Sequence, residues 1–381
     1  MKLIVFHPFL YTRGGAERVV LEVAKHFNAK IYCSRYEKKN TFKEFSDLDV
    51  EVLPKGITRF IPSNVPMRIR DAAIAGEQFY NFKIPEDYDV ANAQGTPSEW
   101  IRNKNENVLW FCHTPNREAF DLYEWRMSKR NILQKALYWS FIQPYKMFEF
   151  STVPKIEKIL ANSMNTQSRL KKYLKRKDVE IVNPGVDVEK FSNESYEKFF
   201  FYPSRITPEK RFEYAIKAFS LFKKKMGPEA EKWKLIIAGA LMKERKEHVE
   251  YYKKIKGLLG NMGKIIINPK DEEFMKLYRT CYSVVYTPVD EDFGIIPLEA
   301  LASNKPCIAV NEGGPKEIIG QGMGYLVKNE KEMAEKMVFL ADNPNLPEQM
   351  GKEGRAHVEK NFTWKVFLEK FEKAAKEMAK K

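Results

Sequence analysis

The chain has 381 residues. At about 100–200 residues per domain that is two or three domains, with a core large enough to need no disulfide or metal staple. Sixty-five Lys and Arg against 51 Asp and Glu leave a net charge of +14, which favours an anionic partner: nucleic acid, an anionic membrane surface or a phosphorylated substrate. Aromatic residues make up 13% of the chain, which excludes a disordered protein. Cys33, Cys112, Cys281 and Cys307 have no C-x-x-C spacing, so they fit neither a zinc site nor a disulfide framework and point to a reducing compartment. No apolar run reaches the ~18 residues that span a bilayer, and the opening Met1–Phe6 run is interrupted by His7-Pro8, too early for a signal peptide. A cytoplasmic location, peripheral on a membrane face at most, is expected.

In chain order, short apolar runs alternate with longer amphipathic stretches, the pattern of a parallel sheet covered on both faces. Leu3–Phe9 reads as a strand, Gly14-Gly15 as a turn and Ala16–Phe27 as a helix; Val108–Cys112 and Lys158–Ala161 read as further strands. The polar stretch Glu189–Lys198 reads as a linker. A second series follows, with strands at Phe199–Ser204, Leu235–Ala238, Lys264–Asn268, Ser283–Thr287, Cys307–Val310 and Tyr325–Val327, and a helical C-terminal region. The fold class is α/β: two doubly wound, Rossmann-like domains facing a cleft, with ligands expected outside the carboxyl ends of the strands. The boundaries predicted are 1–190, 191–362 and a C-terminal helical piece, 363–381, returning towards the first domain.

Five motifs fall just after strands. Gly14-Gly15 opens a helix, where glycine lets the backbone approach a ligand and free N–H groups meet an anion; a tight turn explains two glycines equally well. His113 ends a first-domain strand; a lone histidine is more often structural, but this one is expected at the cleft. Arg205 and Lys210 flank Pro208 at the edge of the second sheet, where arginine binds phosphate bidentately and lysine as a point charge; otherwise they are two surface cations. Glu291-Asp292-Phe293-Gly294-Ile295-Ile296-Pro297-Leu298-Glu299 holds two glutamates either side of a strand-to-helix turn. Glu291 suits sugar hydroxyls, N–H groups near Phe293, Gly294 and Ile295 suit hydroxyls or phosphate, and Glu299 suits ribose. An acidic helix start explains the first glutamate but not the second, which lies in an apolar run. Asn311–Glu317 is another glycine turn at the same edge.

Between Arg126 and Lys177 there are 13 Lys or Arg and two acids, interleaved with aromatics. That stretch is either a solvated basic face beside core aromatics or a docking surface for an anionic membrane.

Together these motifs resemble the retaining GT-B glycosyltransferases of family 4. Leu235–Gly239, Tyr286-Thr287-Pro288, Phe293–Ala300 and Ala309–Pro315 resemble the GDP-mannose-dependent mannosyltransferases of the dolichol pathway, as does Gly14–Arg18. His113–Arg117 with Asp121-Leu122-Tyr123 looks more like bacterial and archaeal mannosyltransferases of the family. The resemblance implies a nucleotide-sugar donor, with GDP-mannose favoured, and a lipid-linked or other glycan acceptor on the first domain. It implies that Gly15 N–H, Arg205 and Lys210 serve the donor diphosphate, Glu291 and the backbone at Phe293-Gly294 the sugar, Glu299 the ribose and His113 the reacting carbon. The base is expected near Asn268, Pro269 and Lys270. Cations and N–H groups can balance the leaving diphosphate, so no metal and no other cofactor is expected. The alternatives are a UDP-sugar donor (glucosyl or N-acetylglucosaminyl) or a sugar-nucleotide epimerase of the same fold. A nucleic-acid-binding role, raised by the charge, lacks any reading module.

Overall fold

The computed structural model describes residues 1–62, 65, 67–128 and 130–379; Lys129 of the basic stretch, and Lys380 and Lys381 at the end of 363–381, lie outside the described residues. The chain divides into two compact units, Met1–Pro184 with Phe367–Lys381, and Gly185–Val366.

The first unit runs β1 (Leu3–Leu10), α1 (Gly15–Phe27), β2 (Lys30–Tyr36), β3 (Val50–Val52), α2 (Met67–Asn81), β4 (Val90–Gln94), β5 (Val108–Cys112), α3 (Tyr123–Ser128), α4 (Ile132–Thr152), β6 (Lys158–Ala161), α5 (Met164–Tyr173) and β7 (Val179–Ile181). All its strands pair in parallel, in the order β3-β2-β1-β4-β5-β6-β7. The order reverses between β1 and β4, which makes the carboxyl ends of those strands the place for a ligand. Apolar side chains of β1, β4 and β5, with Phe79 and Trp100, form the core. The helix α1 buries Val19, Val20, Leu21, Val23 and Ala24 along one stripe and stops at Asn28, whose left-handed conformation turns its N–H back onto the last carbonyls.

The second unit runs β8 (Phe199–Pro203), α6 (Phe212–Met226), β9 (Lys234–Gly239), α7 (Lys246–Leu259), β10 (Gly263–Ile267), α8 (Asp271–Thr280), β11 (Ser283–Tyr286), α9 (Ile295–Ala302), β12 (Cys307–Val310), α10 (Pro315–Ile318), β13 (Gly324–Val327), α11 (Glu330–Asp342) and α12 (Leu346–Asn361). Its parallel sheet has the order β10-β9-β8-β11-β12-β13, reversing between β8 and β11. The last helix, α13 (Trp364–Ala379), passes into the first unit. There Phe367 meets Phe111 at 5.5 Å between ring centroids, Phe371 meets Phe27 at 5.9 Å, and Glu377 lies 2.8 Å from Lys158.

The division between units falls at 184/185 rather than at 190/191, because Val186, Val188 and Phe191 are buried in the second unit's core. The segment read as a linker is likewise strapped down. Glu194 N–H donates to Arg279 O at 2.9 Å and Glu197 N–H to Thr280 O at 2.9 Å. The buried ammonium of Lys305 donates to Ser195 O at 2.5 Å and to Asn193 Oδ1. Among the described residues no helix is long and apolar enough to cross a membrane.

Candidate active site

The switch point of the second sheet carries a preformed charge pair. Ser204 ends the run after β8, and the chain passes Arg205 and a single helical turn, Pro208–Lys210, before α6. Lys210 is buried, and its Nζ lies 2.7 Å from Glu291 Oε2, the side chains being 9% and 22% exposed. The same Nζ lies 3.5 Å from Tyr286 Oη and 5.7 Å from the centroid of that ring. Backbone anchors hold the lysine in place. Tyr202 Oη donates to Lys210 O and accepts from Thr287 N–H at 3.0 Å, tying the loops after β8 and β11 together. Arg211, in the left-handed region at φ 49°, reinforces the tie: its guanidinium donates to Thr287 O at 2.9 Å, Pro288 O at 2.8 Å and Glu312 Oε2 at 2.9 Å. Burial raises the phenols of Tyr202 and Tyr286, so both stay protonated donors.

Glu291 is set by the glycine turn after β12. Gly314 N–H donates to Glu291 O at 2.9 Å. Gly313, at φ 60°, lies so close to the backbone of Asp290 and Glu291 that any Cβ there would collide with it. Phe293 is buried and Gly294, at φ 95°, turns the chain into α9. Ile295 is the first residue of that helix, so its N–H has no helical partner. One turn on, Glu299 is partly buried; its Oε2 accepts from Tyr278 Oη at 2.6 Å. Burial raises the Glu299 carboxyl above the usual range, and the Tyr278 hydrogen bond offsets part of that rise. Arg205 is exposed at the same sheet edge.

Lys210 and Glu291, read from the sequence as separate phosphate and sugar ligands, are therefore partners here. Sequence reading passed over Tyr202 and Arg211, which position them, and quoted Tyr286 in a motif without giving it a role; Arg211 next to Lys210 was a further available signal. Asn268, also left-handed at φ 50°, follows β10 with Pro269 and Lys270; its Oδ1 accepts from Leu241 N–H at 3.1 Å, bracing the loop after β9. Asp290 and Asp292 enclose Glu291 in an Asp-x-Asp triplet, of which Asp47-Leu48-Asp49 and Asp87-Tyr88-Asp89 are two more. Among the described residues no group of three His, Cys, Asp or Glu is placed to hold a metal ion.

In the first unit the expected residues lie after β1 and β5. Gly14 caps α1 without a side chain, and Gly15 is its first residue, so the first N–H groups of the helix have no helical partner, just after β1. Glu17 of the first turn accepts from Thr12 Oγ1 at 2.6 Å. His113 follows β5; its carbonyl accepts from Asn162 Nδ2 at 2.8 Å and Thr166 Oγ1 at 3.1 Å. Its ring meets Phe111 edge-on at 5.1 Å, and its Nε2 is buried without a partner. Burial, helped by nearby His7, pushes the His113 imidazole down to about 3. His7, on β1, is buried with Nδ1 2.7 Å from Gln94 O, and burial lowers it as well. Arg117 and Asp121, part of the same motif, pair with each other at 2.8 Å.

Sequence profiles match both halves: the family described as Glycosyltransferase Family 4 over residues 13–190, and that described as Glycosyl transferases group 1 over residues 186–357. The chain is 28% identical to the alpha-1,3/1,6-mannosyltransferase ALG2 of Homo sapiens, over 96% of this chain and 94% of that one. It is 28% identical to ALG2 of Dictyostelium discoideum, over 99% and 98%. Among solved structures, Anabaena Alr3699/HepE in complex with UDP and glucose superposes with a TM-score of 0.74 at 16% identity, covering 99% of this chain and 100% of that one. WaaG, a glycosyltransferase involved in lipopolysaccharide biosynthesis, gives 0.67 at 13% identity, covering 99% of each. Those two likenesses show the GT-B fold. With adjoining profile matches from residue 13 to residue 357, over two parallel sheets of that fold, the chain belongs to the family 4, group 1 glycosyltransferases.

Proposed function

We propose that the protein transfers mannose from GDP-mannose to a lipid-linked glycan, with retention of configuration and without a metal, at the cytoplasmic face of a membrane. The observation that carries the sugar assignment is the likeness to the α-1,3/1,6-mannosyltransferases along nearly the whole of both chains. In this reading Arg205, Lys210 and the N–H of Gly15 balance the diphosphate as the sugar–phosphate bond breaks. Glu291 and the backbone at Phe293, Gly294 and Ile295 hold the sugar, Glu299 the ribose, and neutral His113 a sugar hydroxyl near the reacting carbon. The base rests near Asn268, Pro269 and Lys270. The acceptor oxygen bonds to the anomeric carbon from the face the diphosphate leaves, and the acceptor proton passes to a diphosphate oxygen. Ion pairing with Glu291 holds Lys210 in place before the donor arrives, so little reorganisation accompanies charge development.

Thermal unfolding with GDP-mannose, GDP, UDP-glucose and UDP tests the donor. Ligand at about 100 times its Kd adds roughly 2.7 kcal/mol to the native state, so the guanosine compounds are expected to raise Tm by several degrees and the uridine compounds not to. A shift with UDP-glucose alone would replace the mannosyl assignment with a UDP-sugar one.

A further inference from the structure

The helix α4 is built inside out. Its 21 residues form one helix behind a capping box, in which Asn131 and Gln134 satisfy each other's backbone N–H groups. Ile142, Glu149 and Thr152 are buried on one side. The opposite side is the one a soluble protein normally makes polar. Here it shows Ile132 at 83% exposed, Leu133 at 79%, Met147 at 61%, and Leu137, Trp139 and Phe150 at half or more. At 100° per residue these six fall within an arc of about 160°. The only carboxylate of the helix, Glu149, is buried and accepts from Trp100 Nε1 at 2.8 Å. The cations Lys135 and Lys146 border one edge of the apolar arc rather than interrupt it.

We propose that the outer face of α4 lies in the plane of an anionic lipid bilayer, with its apolar side chains inserted among the headgroups and upper acyl chains and its lysines paired with lipid phosphates. This deepens the reading of a membrane-borne acceptor given above. Tryptophan beside aliphatic residues, rimmed by lysine, is the composition of a helix lying in the interface. Lys135, Lys146 and the buried Glu149 make the helix unsuited to crossing the bilayer. Charge selects lipid over a second copy of the chain. The helix itself carries Lys135 and Lys146 against a single carboxylate, Glu149, which is buried, so the charge at the rim of its outer face is positive only. A two-fold contact of this face with itself would oppose like charges, whereas anionic lipid neutralises them.

The sequence pointed to basic residues for anionic headgroups and aromatics for the interface; the structure gathers exposed apolar side chains on one face of α4, and insertion and electrostatic attraction respond differently to salt. The test is flotation of the full chain with vesicles of phosphatidylcholine alone and of phosphatidylcholine with phosphatidylglycerol, at low salt and at about 0.5 M, where the Debye length is a few ångströms. Wild type is expected to float with the anionic vesicles and to keep a measurable part of that binding in high salt. Leu133→Glu/Trp139→Glu/Met147→Glu is expected to lose binding at least about tenfold in both, since inserted apolar area is replaced by charge. Lys135→Glu/Lys146→Glu is expected to lose it at low salt only. The three exposed sites leave the core intact, and an unchanged thermal shift with GDP-mannose reports this. No vesicle binding by wild type, binding unaffected by the apolar triple variant, or a wild-type dimer that the triple variant dissolves would each overturn the proposal. The thermal shift also separates the two readings: if no nucleotide sugar binds while the vesicle result holds, the transferase assignment fails and the docking surface stands.

Discussion

At the scale of single residues, Lys210 and Arg205 are two cations at one sheet edge with different standing. Lys210 is buried against Glu291 and hung from Tyr202 through its backbone, so the fold has already taken it out of water and given it a partner. Removing it takes the ammonium away from the partly buried Glu291 carboxylate. Arg205 is exposed, so its truncation leaves nothing uncompensated. Lys210→Met is therefore expected to lower stability by about 1–3 kcal/mol in urea unfolding and to cut transfer by about 100-fold or more. Arg205→Ala is expected to change stability by less than about 0.5 kcal/mol while cutting transfer to a similar extent. If the two variants lose stability equally, or Arg205→Ala transfers normally, the division of roles is wrong.

At the scale of elements, the site depends on two glycine turns that press on each other. Gly294 at φ 95° has ordinary van der Waals space around a Cβ, its nearest neighbour being Tyr286 Cε1 at 3.5 Å, so an alanine there meets only backbone strain. At Gly313 an alanine meets the same strain and also collides with the backbone of Glu291. Gly294→Ala is expected to cost about 1–2 kcal/mol; Gly313→Ala is expected to cost more and to raise KM for the donor, because it displaces Glu291. Initial rates and Tm of the two variants check the order, and a milder Gly313→Ala would refute it. These turns were legible because they follow apolar strands such as β11 and β12, which bury every side chain. The strand β4 was not legible, although it forms the switch point of the first sheet. Its sequence Val-Ala-Asn-Ala-Gln carries two amides that read as loop residues. Inside the sheet Asn92 Nδ2 donates to Leu109 O at 3.1 Å and Gln94 Nε2 to Asn92 Oδ1 at 2.8 Å, so pairing offsets part of the cost of burying them, Gln94 Oε1 being left without a partner. The Lys210–Glu291 pair was hidden for another reason: 81 residues separate its members, and only the parallel pairing of β8 with β11 brings their loops together.

At the scale of the whole molecule, two buried groups in the first unit give stability opposite dependences on pH. His7 and His113 are held neutral by burial, His113 down to about 3. Unfolding lets them take protons below about 6.5. Their contribution is complete above that pH and is lost as pH falls towards 3. Glu99 and Glu149 are buried together, and burial raises both, Glu149 to about 6. Unfolding releases their protons once pH passes about 4.5. Their contribution is complete below that pH and is lost as pH rises, for Glu149 through about 6. Between pH 4.5 and 6 the pairs oppose each other, so the wild-type urea midpoint is expected to be flatter there than either pair alone would make it. Glu149→Gln keeps an acceptor for Trp100 but removes one titration, so its midpoint is expected to fall more steeply on acidification than the wild type's. His113→Asn removes the opposite contribution and is expected to flatten or reverse the acid limb. Parallel midpoint curves for the wild type and both variants would show that these buried groups do not set the acid response, and would assign it to surface charge.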